Sequence, residues 1–389
     1  MKKNIIIVGM TESIMTSRGN RHPSLATYLV NKGYKLHYVS SNFYHSEKRW
    51  FTDIEIKNAQ SKADYDLHIL NKIGYKKNIS AMRVLSNLAF SIKSYLFLKK
   101  HINTETILII PSRPVELIYF ASVLRKKYKI SVLVDIQDIW PDMLVNKSGI
   151  ATYVFTKYCN YFLKRSLKYI DKFIHVAPSF QDWLKRYSPT SSSKFVPLGF
   201  EEDRWEVINS TPNVSSKNKI TFLVIAQLTF QFDIMPLLDA LKNNNSFELV
   251  LVGEDGKGER YGELISFLKA HNVKNFKNHG YLNTVNLKKI MKTCDIGVVP
   301  MISTSIPNKV FDYIANDMPI YVLGQNDSSD FVKKYGIGWS TEFNTDGVKN
   351  FLNKINHKDI EDKRLKLTNI KNEFNRHNIH KKILNEIDS

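Results

Sequence analysis

Short runs of aliphatic and β-branched residues alternate with amphipathic stretches along the whole chain. The runs are 4–9 (NIIIVG), 35–40 (KLHYVS), 106–111 (TILIIP), 131–135 (SVLVD) and 172–177 (KFIHVA). They continue as 221–226 (TFLVIA), 247–253 (FELVLVG), 295–300 (DIGVVP) and 319–324 (PIYVLG). Near-continuous apolar runs of this length predict strands buried on both faces of a parallel sheet. Between most of them lie roughly 10–20 residues of helical periodicity, which predicts covering helices. A polar segment, 206–219 (EVINSTPNVSSKNK), breaks the alternation and reads as a linker or domain edge. Each side of it holds enough strands for its own doubly wound sheet. The predicted division is 1–203, 204–365 and a closing helical segment, 366–389, that returns to the first domain.

A chain of 389 residues is long for one core and comfortable for two. Its two cysteines, Cys159 and Cys294, lie far apart and lack metal-ligand spacing. That predicts buried thiols in a reducing compartment. The opening MKKNIIIVGM has no cleavage-type segment after it, so it reads as a first strand and not a signal peptide. No window has the apolar length needed to span a bilayer.

Charge changes the picture more. Residues 1–200 carry 31 Lys and Arg against 13 Asp and Glu, whereas 201–389 carry 25 against 24. Nearly all of the net +19 therefore sits in the first half, a field that draws anionic partners. Segments 82–101 (MRVLSNLAFSIKSYLFLKKH) and 157–169 (KYCNYFLKRSLKY) interleave Leu, Phe and Tyr with Lys and Arg. Such basic amphipathic helices suit an anionic membrane surface, although any core-facing helix with a solvated basic face has the same texture. Nucleic acid is the rival partner for this charge. No helix-turn-helix, zinc spacing or RNA-binding signature accompanies it, so it is not expected.

The most informative stretch is 306–320 (IPNKVFDYIANDMPI), which follows the strand at 295–300. Pro307 suits the first turn of a helix and Asn308 a cap, while Lys309 and Asp312 share one face. A strand, a short loop and a helix N-terminus make an anion site, where free amides and the dipole favour phosphate. Lys309 would add charge to a diphosphate and Asp312 would accept ribose hydroxyls. An ordinary surface helix would carry the same pair. In doubly wound sheets ligands bind beyond the carboxyl ends of strands. Gly253 in VGEDGKG, Gly280-Tyr281, and the loop after the first strand with Gly19, Arg21 and His22 all occupy such ends.

In order, these segments resemble the two-domain GT-B glycosyltransferases, above all the family-4 enzymes of bacterial O-antigen and capsule synthesis. The glycine loop followed by 24–41, the SSNFYH run at 40–45, and 135–143 (DIQDIWPDM) carry the similarity in the first half. So do 170–184 and 196–205 (VPLGFEEDRW). In the second half it runs through 249–256 (LVLVGEDG), 279–300 and 307–320. The resemblance implies two Rossmann-like domains facing a central cleft, the second holding a UDP- or GDP-linked sugar. The implied donor set is Gly19, Arg21, Gln227, Gly253, Glu254, Tyr281, Ile306, Asn308, Lys309 and Asp312. No cofactor or metal is implied.

The implied activity is hexosyl transfer, with retention favoured over inversion, to a lipid-diphosphate-linked glycan. It would take place in the cytoplasm, at the inner face of the cell membrane. Asp138 is the expected catalytic residue: a general base if the reaction inverts, or an orienting and charge-stabilising group if it retains. Two departures stand out. Gln227 and Phe232 occupy positions where the family carries an Arg and a Lys for the diphosphate, and Thr304 stands where the first acid of its Glu-x7-Glu pattern falls. A non-catalytic or atypical sugar-nucleotide-binding protein on the same fold would explain both.

Overall fold

A computed structural model describes residues 4–16, 20–78, 80–143, 149–205 and 219–389. The expected linker at 206–219 lies outside the described residues except for Lys219. The chain divides into one unit of 1–196 with 380–389 and a second of 197–379. The boundary thus falls at 196/197 instead of 203/204, and only 380–389 joins the first unit, not 366–389.

The physical reason lies in the contacts of the intervening segment. Phe374 is buried against Phe311, Phe331 and Tyr335 of the second unit. The Phe200 amide donates to the Phe374 carbonyl (3.0 Å), and the Arg376 amide donates to the Phe200 carbonyl (2.7 Å). Farther on, the Tyr34 hydroxyl donates to Asp388 and the Lys172 ammonium to the Glu386 carbonyl, which fastens the end of the chain to the first unit.

Among the described residues the first unit has a main sheet of seven parallel strands. They are β1 (Asn4–Gly9), β2 (Lys35–Ser41), β5 (Asp66–Leu70), β6 (Thr106–Pro111), β7 (Ser131–Ile136), β8 (Lys172–His175) and β9 (Lys194–Phe195). A small antiparallel hairpin pairs β3 (Phe43–Tyr44) with β4 (Arg49–Trp50). The sheet order is β5-β2-β1-β6-β7-β8-β9. In the second unit the strands are β10 (Ile220–Ile225), β11 (Phe247–Val252), β12 (Phe276–Asn278), β13 (Ile296–Pro300), β14 (Ile320–Leu323) and β15 (Gly338–Thr341). Their order is β12-β11-β10-β13-β14-β15, again all parallel.

Both orders step outward from the first strand and then reverse, as in Rossmann-like sheets. The reversal opens a crevice between β1 and β6 in one unit and between β10 and β13 in the other. Ile5, Ile6, Ile7 and Val8, like Phe222, Leu223 and Val224, are wholly buried, because helices cover both faces of each sheet. Every apolar run read from the sequence forms a strand. Those not read, β5 and β15 among them, are outer strands with half-buried residues, so no continuous apolar run marks them.

The helix Asn308–Ala315 lies under the second crevice because of Tyr313. Its buried hydroxyl reaches the carbonyls of Leu223 (3.0 Å) and Val298 (3.2 Å) and accepts from the Ile225 amide (3.3 Å). Gly297 on β13 leaves room for that ring: a Cβ there would sit 2.5 Å from it. Gly297→Ala should therefore destabilise the protein by about 1–3 kcal/mol through overpacking. Denaturant unfolding that leaves the midpoint unchanged would contradict this role for Tyr313.

Candidate functional site

In the second unit the loops after β10 and β13 meet at the crevice. Phe232 pairs with Met301 in an isolated bridge, and the Asp233 amide donates to the Pro300 carbonyl (3.1 Å). Pro307, expected in the first turn, is the N-cap residue of the next helix, with extended backbone, and Asn308, expected as the cap, is the first helical residue. Pro307 lacks a capping side chain, so no side-chain cap occupies the first amides of this helix.

Lys309 is half-buried, and its ammonium lies 3.7 Å from the centre of the Phe232 ring. Burial lowers its pKa to about 7, with only Asp312 opposing the shift. Burial likewise raises Asp312 to about 6, partly offset by Arg204 and then by Lys309, Trp205 and Arg376. Both charges are thus poorly solvated and carry less compensation than a buried pair needs. A group that offers them hydrogen bonds and countercharge would relieve both. Phe232, at a position where the resemblance implies a cation, is instead the platform under the Lys309 ammonium.

Other predicted donor residues take varied places. Gly253 directly follows β11 with φ +100°, a backbone that disfavours side chains, and its amide donates to the Gly280 carbonyl (2.7 Å). Glu254 is buried, and its carboxylate accepts from the amides of Leu228 (2.7 Å), Gly256 (2.9 Å) and Gly258 (3.0 Å). The expectation that it meets the donor is corrected: its lone pairs already brace the two loops. Gln227 and Asn308 are exposed at the crevice rim, and so is the Tyr281 ring just beyond Gly280. Ile306 is fully buried, which leaves only its backbone for a ligand. Thr304 donates to Asp327 (2.6 Å), the first residue of the helix Asp327–Tyr335, and so ties the loop to that helix.

In the first unit a small cavity at the β1/β6 crevice is lined by Gly9, Glu12, His22, Ser112, Arg113 and Asp138, with others. Asp138 follows β7 and pairs with Arg113 (3.0 Å), and both are half-buried. Ser112 holds the backbone at Asp138, since its hydroxyl donates to the Asp138 carbonyl (2.7 Å). Asp142 pairs with Arg186 and Asp135 with Arg21, so three nearby carboxylates have three different partners. Gly19 lies outside the described residues.

Arg21 is a correction. It is buried, with Nε 2.7 Å from the Asp135 carboxylate and an NH2 group 3.1 Å from the Val196 carbonyl. A guanidinium held this way serves the interior and is not offered to a phosphate. His22 was absent from the predicted set, yet it lines the cavity, its Nε2 3.1 Å from Asp135 and its Nδ1 3.6 Å from Glu12. Burial alone would lower its pKa, but Glu12 and Asp135 outweigh burial and Arg21, so the net shift is upward. Burial also pushes Asp135 up, and Arg21 with His22 reverses that, holding it well below the usual carboxylate range. The adjacent Arg21-His22 pair opening a helix, with the buried strand residue Asp135, was the available signal. Among the described residues no three His, Cys, Asp or Glu side chains gather as a metal site would require.

Residues 208–372, within the second unit, match the family model described as glycosyl transferases group 1. No curated protein sequence matches the chain. Among solved structures it is similar to Anabaena HepE in complex with UDP, at TM-score 0.70 and 12% identity, covering 99% of each chain. It is also similar to sucrose-phosphate synthase from Thermosynechococcus elongatus, at TM-score 0.72 and 12% identity, covering 98% of this chain and 97% of that one. A third is WaaG, a glycosyltransferase involved in lipopolysaccharide biosynthesis, at TM-score 0.68 and 11% identity, covering 97% and 98%. The fold is GT-B, as the sequence predicted.

The depressed Lys309 gives a stability prediction with a definite sign. The folded chain holds its proton less tightly than the unfolded chain, whose lysine keeps the ordinary value of 10.5. Stability therefore rises with pH across the window between the two values. Lys309→Met removes that cost, so the variant should melt above the parent near neutral pH. The difference should shrink toward about pH 10, where an unfolded lysine also sheds its proton. A gap that stays constant across the window would refute the desolvation of Lys309.

Proposed function

We propose that the protein transfers a sugar from a nucleotide-diphosphate donor to a glycan acceptor in bacterial surface polysaccharide synthesis. The observation that carries this is the helix start at Lys309 and Asp312, set at the β10/β13 crevice of a group 1 glycosyl transferase domain. UDP accompanies HepE in its structure, and WaaG is a lipopolysaccharide enzyme; both support the reading.

In this reading the helix amides and Lys309 take the diphosphate, and Asp312 takes ribose hydroxyls. Phe232 holds the ammonium in place while the crevice is empty. When phosphate arrives, Lys309 regains a full charge that the site itself solvates poorly. Charge on the departing phosphates is met by Lys309 and the amides, without a metal or cofactor. Asp138 faces the acceptor hydroxyl. Its pairing with Arg113 (3.0 Å) fixes the position of the carboxylate, which suits stabilising a positive sugar in a retaining hexosyl transfer. The absence of cations at Gln227 and Phe232 favours one other reading, a protein that binds the sugar nucleotide without transferring it.

Titration with UDP and GDP, followed by product analysis with a panel of their sugars, separates these. Lys309→Ala and Asp312→Ala should each weaken nucleotide binding roughly ten-fold or more, the usual loss for a charged hydrogen bond. Asp138→Asn should bind nucleotide like the parent and lose transfer. Unchanged nucleotide affinity in both helix variants would remove the donor from this helix, and parental transfer by Asp138→Asn would remove that residue from the reaction.

The acceptor in this reading is carried on a lipid diphosphate, and the first unit docks at the inner face of the cell membrane. No helix among the described residues is long and apolar enough to cross a membrane. Support for surface docking comes from the helices Ala81–His101 and Ile150–Ser166, which flank Val115–Tyr128. Both expose apolar residues, including Leu85, Leu96, Ile150 and Tyr153, beside Lys93, Lys99, Lys157 and Lys164. Co-sedimentation with phosphatidylglycerol vesicles should be strong at low salt and weaken as the Debye length falls below about 8 Å. Protein left in the supernatant at low salt would end the membrane reading and leave the transferase reading intact.

A further inference from the structure

Beside the Asp138 cavity, the loops leaving β2, β5 and β6 collect positive charge with little to neutralise it. Lys72, in the loop after β5, is 5% exposed, and its Nζ has no hydrogen-bond partner. Arg83, in the first turn of the helix Ala81–His101, is 8% exposed, and its Nε has no partner either. Lys48, at the hairpin, reaches neutral acceptors, the His45 carbonyl and ring Nδ1 (3.2 Å) and the Asn78 side-chain oxygen (2.6 Å). Arg83 likewise donates to the Asn78 carbonyl.

One ring gathers all three. The Lys48 and Lys72 nitrogens each lie 5.3 Å from the centre of Tyr75, and the Arg83 guanidinium lies 5.7 Å from it. No two of these cations can be farther apart than the sum of those distances. Arg83 also sits over Trp140 at 5.3 Å. Among the described residues none of the three has a carboxylate at ion-pair distance. The carboxylates that face them are committed: Asp138 pairs with Arg113, and Glu116 is buried and accepts from the Tyr158 hydroxyl.

The strain shows in the neighbouring groups. Burial, then Arg83, Arg113 and Lys48, lowers Lys72 to about 7. Burial and the same cations lower His45 to about 3. Cation–π contacts of this length are weak and do not offset desolvated like charges.

We infer that Lys48, Lys72 and Arg83, with Arg113 at the edge, form a binding site for a phosphate or diphosphate group on the acceptor. The inference rests on the transferase reading for the word acceptor, but the anion site itself does not. Three cations facing one ring match a group of charge −2 or more, which an isolated carboxylate would not balance. The loops belong to the same carboxyl edge of the sheet as Asp138, so a bound phosphate would deliver the rest of its molecule close to that residue. The geometry suits a phosphorylated lipid and a soluble phosphate ester alike.

The test is titration of the full chain with inorganic pyrophosphate in saturating UDP, which occupies the other proposed diphosphate site. Parent protein should bind pyrophosphate and melt higher with it. Lys72→Met should weaken that binding ten-fold or more, lose the shift in melting, and keep the parental UDP affinity. Without pyrophosphate the same variant should melt at or above the parent, because an unpaired buried charge is gone. Arg83→Gln provides a second variant and should also weaken pyrophosphate. Unchanged pyrophosphate affinity in both variants overturns the site. Farnesyl diphosphate in detergent that binds more tightly than pyrophosphate, and loses affinity in Lys72→Met, would identify the source as a lipid. Equal affinities would identify a soluble ester, and either result supports the site. If UDP does not bind the parent, the donor reading fails while the pyrophosphate result still decides this one.

Discussion

Parallel strands buried on both faces are the constraint from which the rest of this molecule follows. Every strand of the two main sheets runs the same way, so every loop that can carry polar chemistry leaves from the carboxyl edge. The covering helices take up the apolar faces. What remains for function is a line of loop residues and helix starts, and it is there that Asp138, His22, Lys309 and Asp312 are found. Where the strand order reverses, the loops diverge and a crevice opens without any residue chosen for that purpose.

The crevices would be loose without buried polar anchors. In the second unit the Tyr313 hydroxyl satisfies three backbone groups on β10 and β13 and so fixes the angle of the helix that carries Lys309. Glu254 ties the loops after β10 and β11 by accepting three amides. Asp135, Arg21 and His22 do the same work in the first unit. A buried carboxylate needs such partners, and breaking one side of the arrangement would leave an uncompensated charge. These residues explain why polar groups at strand ends are not all ligands: some hold the place where ligands are read.

The charges that are left incompletely matched then become informative. Lys309 rests on Phe232 with Asp312 as its countercharge, and among the described residues the Lys72 ammonium has aromatic rings but no hydrogen-bond acceptor. Interiors tolerate such groups where a ligand completes them, and both lie on carboxyl-edge loops. The two differ in origin. Lys309 stands at a helix start, a local feature, whereas the Tyr75 cluster is assembled from the segments that follow two strands, β2 and β5.

That difference marks how far the sequence reaches. Apolar runs of five to seven residues with helical stretches between them were enough for two doubly wound sheets, because burial on both faces leaves a local pattern. The same held for Lys309 and Asp312, whose spacing on one helix puts them on one face whatever the rest of the chain does. The outer strands β5 and β15 left no such pattern, since they are only half-buried. The roles of Arg21 and Glu254 were misread because a cation or acid in a loop looks alike whether it faces outward or inward. Their partners, Asp135 and the amides of 228, 256 and 258, sit on other segments, brought close only by folding. Lys48 joins Lys72, Tyr75 and Arg83 of the segment 72–83 only in the tertiary structure, when the loops after the adjacent strands β2 and β5 share an edge.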